Sequence, residues 1–321
     1  MVIGVVSGIR AAAIHPWRSG QRALRRAAQA LCALWLGAAP AGAVMLSTGD
    51  GSGNTTAPPD DPGFAYVGVT GNSLTGVYLG HGWFLTADHV GETSIKLGGI
   101  TYPAVPGSKV QLQYSPGVYS DLALVKIVGS PPLAPLVLSS GTPAVSNTLT
   151  LIGNGFDREA TQTCWNSSFA ELGSCNGPLV AFRGYKRLGS QRSLRWGRNV
   201  VTAVGLDVPI GSMTRGFQAE FDESGISDES QAVPGDSGGA VFLKRGSQWE
   251  LVGVMFAMLT YSGQPADTAV FGDATVAVDV AHYAAQIQSI IVPPQVPALP
   301  WPAFAAAFLV LAAAARSALP C

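Results

Sequence analysis

Short apolar runs alternate with glycine, asparagine, serine and proline through most of the chain. From Phe64 onward FAYVGV, LTGVYLG, WFLTA, SIKLG and KVQLQ each end at turn-forming residues. LALVKI (122–127) and TLTLIG (148–153) follow. A second series comprises NVVTAVG (199–205), FQAEF (217–221), GAVFL (239–243), WELVGVMFAM (249–258), TAVFG (268–272) and TVAVDV (275–280). Runs this short and evenly spaced predict antiparallel strands, closed as a barrel or stacked as a sandwich. One segment breaks the pattern. AHYAAQIQSII (281–291) puts Tyr283, Ile287, Ile290 and Ile291 at helical spacing and predicts a terminal helix.

The ends differ from this body. Residues 44–63, VMLSTGDGSGNTTAPPDDPG, are polar and rich in turn formers, and are expected as a flexible leader to a folded unit spanning 64–291. Residues 1–26 carry Arg10, Arg18, Arg22, Arg25 and Arg26 and no acid. The apolar AAQALCALWLG (27–37) and then APAGA come next, with Ala41 and Ala43 in an A-x-A arrangement. This predicts a secretory signal over 1–43, cleaved after Ala43. An uncleaved membrane anchor is the rival reading, and the shortness of the apolar run argues against it. At the other end, 292–321 is proline-rich and then apolar. Its uninterrupted apolar stretch, 303–315, would make a helix of ~20 Å, short of a ~30 Å hydrocarbon core. On its length alone it would make at most a weak transmembrane anchor.

Composition narrows the function. The 321 residues carry a formal net charge of −1, only 12% are charged, and no basic patch points to nucleic acid. The 39 glycines suit a sheet-rich protein with tight turns. Cys32 falls in the signal and Cys321 is the last residue, which leaves Cys164 and Cys175. In an exported chain this pair is expected to form a local disulfide, stabilising by roughly 3 kcal/mol. No metal-ligand motif is present, and no cofactor is implied.

The candidate chemistry centres on PGDSGGAVF (234–242), where glycines surround Ser237. Glycine is entropically costly, so the cluster implies either a tight turn or a backbone shaped to expose the hydroxyl. A serine needs a base to take its proton, usually a histidine held by a third group. Three histidines lie outside the signal: His81, His89 and His282. His282 opens the terminal helix, His81 precedes WFLTA, and His89 follows it. Asp121 opens the run DLALVKI.

Together TADHV, SDLALVKI and GDSGG resemble the three signature segments of the chymotrypsin (trypsin-like) serine protease family. The resemblance covers about 64–291. It implies an all-β fold of two six-stranded antiparallel barrels with a C-terminal helix, the site lying between them. It implies a serine endopeptidase acting on proteins or peptides through an acyl-enzyme, with His89, Asp121 and Ser237 as triad. The N–H groups of Gly235 and Ser237 would form the oxyanion hole. Gly238 and Gly239 would allow close packing behind the nucleophile. Gln231, six residues before Ser237, would be the neutral floor of a substrate pocket lined by Met255, Phe256 and Ala257, shallow and suited to small or medium apolar side chains. Asp88 competes with Asp121 as orienter, but neighbours in sequence rarely turn their side chains face to face.

The chain departs from the family pattern in one consequential way. Digestive members are activated by a cut after Arg or Lys, and the freed amino terminus pairs with the aspartate before the serine, here Asp236. No Arg or Lys lies between Ala43 and Lys96, so Asp236 needs another partner. The tail resembles PEP-CTERM-type sorting segments, without their Pro-Glu-Pro core. That implies a bacterial protein exported to the periplasm, cell envelope or extracellular space, with sorting-enzyme or membrane contact through the tail. Two other classes compete with the enzyme: a catalytically inactive trypsin-like fold serving as a binding module, and a metal-dependent hydrolase using His81, His89 and Asp121. The filled triad positions favour the peptidase.

Overall fold

Successive side chains of a strand point to opposite faces, so a run that is apolar at every position is buried on both. The computed structural model, which describes residues 44–292, shows this at several strands. After the two-residue β1 (Met45–Leu46) come β2 (Val67–Thr70), β3 (Thr75–Gly80), β4 (Trp83–Thr86), β5 (Ile95–Leu97), β6 (Ile100–Tyr102), β7 (Val110–Ser115) and β8 (Val118–Lys126). Strands β2–β8 form one seven-stranded sheet, ordered β6-β5-β2-β3-β4-β8-β7. In β4, Phe84 faces a cluster with Tyr78, Ile95 and Val125, while Leu85 faces a second cluster shared with the other half of the protein. In β8, Leu122 and Leu124 join that shared cluster and Val125 points the other way.

The second half opens with β9 (Thr148–Gly153) and continues with β10 (Phe156–Arg158), β11 (Thr163–Trp165), β12 (Glu171–Leu172), β13 (Phe182–Arg192), β14 (Arg195–Val208), β15 (Thr214–Glu220) and β16 (Ser230–Gln231). It ends with β17 (Ala240–Arg245), β18 (Gln248–Leu259), β19 (Thr268–Val270), β20 (Ala274–Asp279) and the helix α1 (Val280–Ile291). Strands β14-β15-β20-β18-β17-β9 close into a barrel. Along β17, Val241 and Leu243 pack with Leu149, Leu151 and Phe217, whereas Phe242 joins the cluster shared with the first half. The fold is thus all-β with a C-terminal helix, as the sequence predicts. The first sheet differs from the implied six strands in having a seventh, the short and largely exposed edge strand β6.

Helix α1 starts where the side chain of Asp279 accepts the N–H of Ala281 at 3.2 Å. Its buried face is Tyr283, Ile287 and Ile291, with Ile290 partly covered, which matches the predicted spacing. Between β9 and β14 the polar stretch 156–192 gave no strand pattern, yet β10–β13 and β19 form a sheet there. It buries Trp165, Tyr185 and Val270, and Arg187 and Arg192 stack 3.8 and 4.5 Å over Phe156. A disulfide joins Cys164 of β11 to Cys175.

Residues 44–63 are the main difference from the sequence expectation. Expected as a flexible leader, they are laid along the second half. Strand β1 pairs with β16, and Val44, Met45 and Leu46 are buried. The guanidinium of Arg158, 2% exposed, donates to the carbonyls of Leu46, Thr48, Gly49, Glu159 and Ala160. Arg195 donates to Gly51 O, and Trp196 Nε1 to Thr56 O at 2.9 Å. These donors lie about a hundred residues or more away in sequence, so local composition carries no trace of them. The signal over 1–43 and the apolar tail fall outside the described residues.

Removing the Arg158 head leaves buried carbonyls without donors. Arg158→Met is expected to cost about 3 kcal/mol and lower the melting temperature by roughly 6 °C or more. A calorimetric scan showing no more than a degree of change would contradict this account of the strap.

Candidate active site

His89 lies in a single 3-10 turn, Asp88–Val90, at the end of β4. Asp121, 3% exposed, faces it from β8. Their contact is two-pronged. The backbone N–H of His89 donates to Asp121 Oδ1 at 2.9 Å, and His89 Nδ1 lies 2.7 Å from Oδ2. An ionised carboxylate can only accept, so the proton sits on Nδ1 and Nε2 is left with its lone pair. The protein packed around the ring opposes protonation of His89. The Asp121 hydrogen bond and charge, with Asp88 adding to them, outweigh this and raise the imidazole above its usual range.

Asp121 is itself held by the second half. Its N–H donates to Thr214 Oγ1 at 2.9 Å, and that hydroxyl donates to Ile210 O at 2.8 Å. Ser120 Oγ bonds Met213 O at 3.0 Å and Tyr283 Oη at 2.8 Å, so helix α1 ties down the residue beside the carboxylate. None of Thr214, Ser120 or Tyr283 belongs to a sequence motif, and nothing local marks them. Asp88, the rival orienter, turns away from the ring to Lys109 Nζ at 2.8 Å. His81 occupies an exposed turn, and His282 Nε2 bonds Tyr114 O at 2.8 Å.

Ser237 is half-buried on the turn between β16 and β17. Gly235 and Gly238 have φ of +111° and +85°, where residues with side chains are strained. At 238 space is decisive too, because a methyl group would overlap Thr75 O and Thr86 Oγ1. This close approach docks the turn on the first half. Thr75 N donates to Ser237 O at 3.0 Å, Thr75 Oγ1 to Gly235 O at 3.3 Å, and Thr86 Oγ1 to Thr75 O at 2.8 Å. Thr86 lies three residues before His89, at the end of the strand that leads into the His89 turn.

The turn uses its N–H groups unevenly. Asp236 N donates to Val233 O, Gly238 N to Met255 O, and Gly239 N to Asp236 O. Among the described residues, the N–H groups of Gly235 and Ser237 donate to nothing, and the Ser237 hydroxyl makes no hydrogen bond.

The residues expected around the substrate pocket have separate placements. Gln231 is buried, and its Oε1 accepts Thr275 Oγ1 at 3.2 Å. Met255 sits in the core of the closed barrel, its methyl group beside Gly153 and Gly239. Phe256 is buried in the shared cluster, and Ala257 borders it. Strand alternation explains the split, since 255 and 256 must face opposite ways. Among the described residues no three His, Cys, Asp or Glu side chains are grouped to hold a metal ion. No described helix is long and apolar enough to cross a membrane.

A closed antiparallel barrel beside a second sheet, with a histidine–carboxylate pair and a glycine-framed serine between them, defines the trypsin-like class of folds. The profile of the trypsin-like peptidase domain family matches residues 74–254, more than half of the chain, and the chain belongs to this family. Among solved structures it is similar to neuropsin, a serine protease expressed in the limbic system of mouse brain. The identity is 17% over 74% of this chain and 98% of that one, with a TM-score of 0.44. It is also similar to two mutants of human heparin binding protein (CAP37), each at 16% identity over 77% of this chain and 99% of that one, with a TM-score of 0.48. No curated protein matches it.

An NMR titration should find the His89 imidazole above its usual 6.5. Asp121→Asn should lower that value, and Asp88→Asn should lower it by less. A raised pKa also makes the pair stabilising below the unfolded-state value, an advantage lost as pH rises through the folded one. A His89 signal titrating at or below 6.5 in the unmodified protein would refute the electrostatic account.

Proposed function

We propose that this chain is an exported serine endopeptidase, with Ser237 as nucleophile, His89 as base and Asp121 as orienter. Two observations support the reading: in the 235–239 turn only the N–H groups of Gly235 and Ser237 are uncommitted, and His89 Nδ1 is engaged by Asp121 at 2.7 Å, which leaves Nε2 free.

The chemistry follows from these atoms. Ser237 Oγ attacks a peptide carbonyl carbon while its proton passes to His89 Nε2. Negative charge then grows on the carbonyl oxygen, where the N–H groups of Gly235 and Ser237 receive it. Each such donor contributes about 3 kcal/mol of transition-state stabilisation. The imidazolium, held by Asp121, returns its proton to the leaving amine as the C–N bond breaks. The serine ester left behind is cleaved by water through the same steps, with His89 again as base. The substrate is a protein or peptide. The neutral Gln231 favours small or medium apolar side chains over basic ones. The signal over 1–43 and the tail over 292–321 suit a bacterial envelope protein, the tail serving sorting or anchoring.

A fluorophosphonate probe reports an activated serine directly. The protein should label at Ser237, and Ser237→Ala should abolish labelling and lower turnover on the order of 10⁶-fold without unfolding the chain. Failure of the folded, mature protein to label would support the inactive binding module instead.

A further inference from the structure

Each basic side chain of β13 has a carboxylate partner, with one exception. Arg183 meets Glu223 at 3.2 Å, Lys186 meets Glu171 at 3.0 Å, and Arg187 meets Asp267 at 3.2 Å. Arg192, the last residue of the strand, bonds no acid among the described residues. Its Nη1 donates to Ser73 O at 2.9 Å, and its head stacks over Phe156, the ring that Arg187 also covers. The acid next to that ring in sequence, Asp157, is taken by Arg195 at 2.7 Å and by Ser193 Oγ at 3.4 Å. Burial disfavours the protonated form of Arg192, the charge of Arg187 adds to this, and no neighbouring acid offsets either. The guanidinium is half-buried, and the rest of its donor fork is unused.

Its contacts put this cation beside the turn that carries Ser237. Ser73 O, which holds Arg192, also accepts Asn154 Nδ2 at 3.3 Å, and Asn154 N donates to Thr75 Oγ1 at 3.2 Å. Thr75 N and Oγ1 in turn hold the carbonyls of Ser237 and Gly235. The short stretch 73–75 therefore carries Arg192 at one end and the serine turn at the other. Two residues of chain span no more than about 7 Å, which places the guanidinium within roughly 10 Å of Thr75. An extended peptide covers that span with about three residues.

We propose that Arg192 is a specificity-determining residue of the Ser237 site, holding a substrate carboxylate side chain, Asp or Glu, within about four residues of the bond to be cut. Stacking on Phe156 fixes the plane of the guanidinium and Ser73 O fixes one edge, so little ordering remains when a substrate arrives. A carboxylate matches that planar fork with two parallel N–H···O bonds and supplies the charge that the fold leaves out. A basic residue at the same position would meet Arg192 and Arg187 together and be rejected. This selection acts on a residue flanking the cut bond and is separate from the pocket choice at Gln231. The inference rests on the peptidase reading above.

The test uses peptides blocked at both ends, so that only side-chain carboxylates are read, made in pairs that differ by Glu or Gln. The differing residue is moved through about four positions on each side of one susceptible bond. Cleavage by the mature protein should show kcat/KM about 10-fold higher for Glu than for Gln at one position or two adjacent ones. That ratio should fall toward one in Arg192→Gln, survive in part in Arg192→Lys, and shrink as salt is raised. A ratio of one at every position in the unmodified protein, or a Glu preference unchanged in Arg192→Gln, would overturn the assignment. Binding of the same pairs to Ser237→Ala protein is read by fluorescence polarisation. Glu-selective binding that Arg192→Gln abolishes, with no cleavage by any form, would uphold Arg192 and sink the peptidase reading. Neither selective binding nor selective cleavage at any position would sink the assignment to Arg192.

Discussion

There is no room for a side chain at Gly238, because the carbonyl of Thr75 and the hydroxyl of Thr86 occupy that space. The two halves of the protein meet at this close approach, and the geometry of the cleft depends on it. Thr75 binds the Ser237 and Gly235 carbonyls, and Thr86 braces Thr75 from β4. β4 then runs directly into the turn that carries His89. Behind the contact, residues of both halves and of helix α1 share one cluster, which explains why strands such as β8 are apolar on both faces.

Buried charge is handled in three ways around this contact. The Asp121 carboxylate is held by the backbone N–H of His89 on Oδ1 and by His89 Nδ1 on Oδ2, while its own N–H donates to Thr214 Oγ1. Arg158 is saturated by carbonyls and stacks 3.8 Å over Tyr185. Asp236 has one oxygen satisfied and one open. A charge left open in the interior is expensive, so the exception stands out against two well-compensated neighbours.

Much of this was legible in the sequence wherever the cause is local. Strand alternation, the spacing of Tyr283 and Ile287, and a disulfide across eleven positions are short-range features, and the structure contains all three. The order of TADHV, SDLALVKI and GDSGG marks His89, Asp121 and Ser237 as candidates by family resemblance, and the structure brings the first two into contact. The tertiary structure alone decided what depends on partners far along the chain. It laid 44–63 against the second half through Arg158 and Arg195, and made Thr214 and Tyr283 supports of the Asp121 segment. It also turned Met255 into the barrel core while Phe256 faced the other half. Sequence patterns record which face of an element is apolar. Which distant donor reaches a given carbonyl, or which carboxylate is left without a partner, is set only when the chain closes on itself.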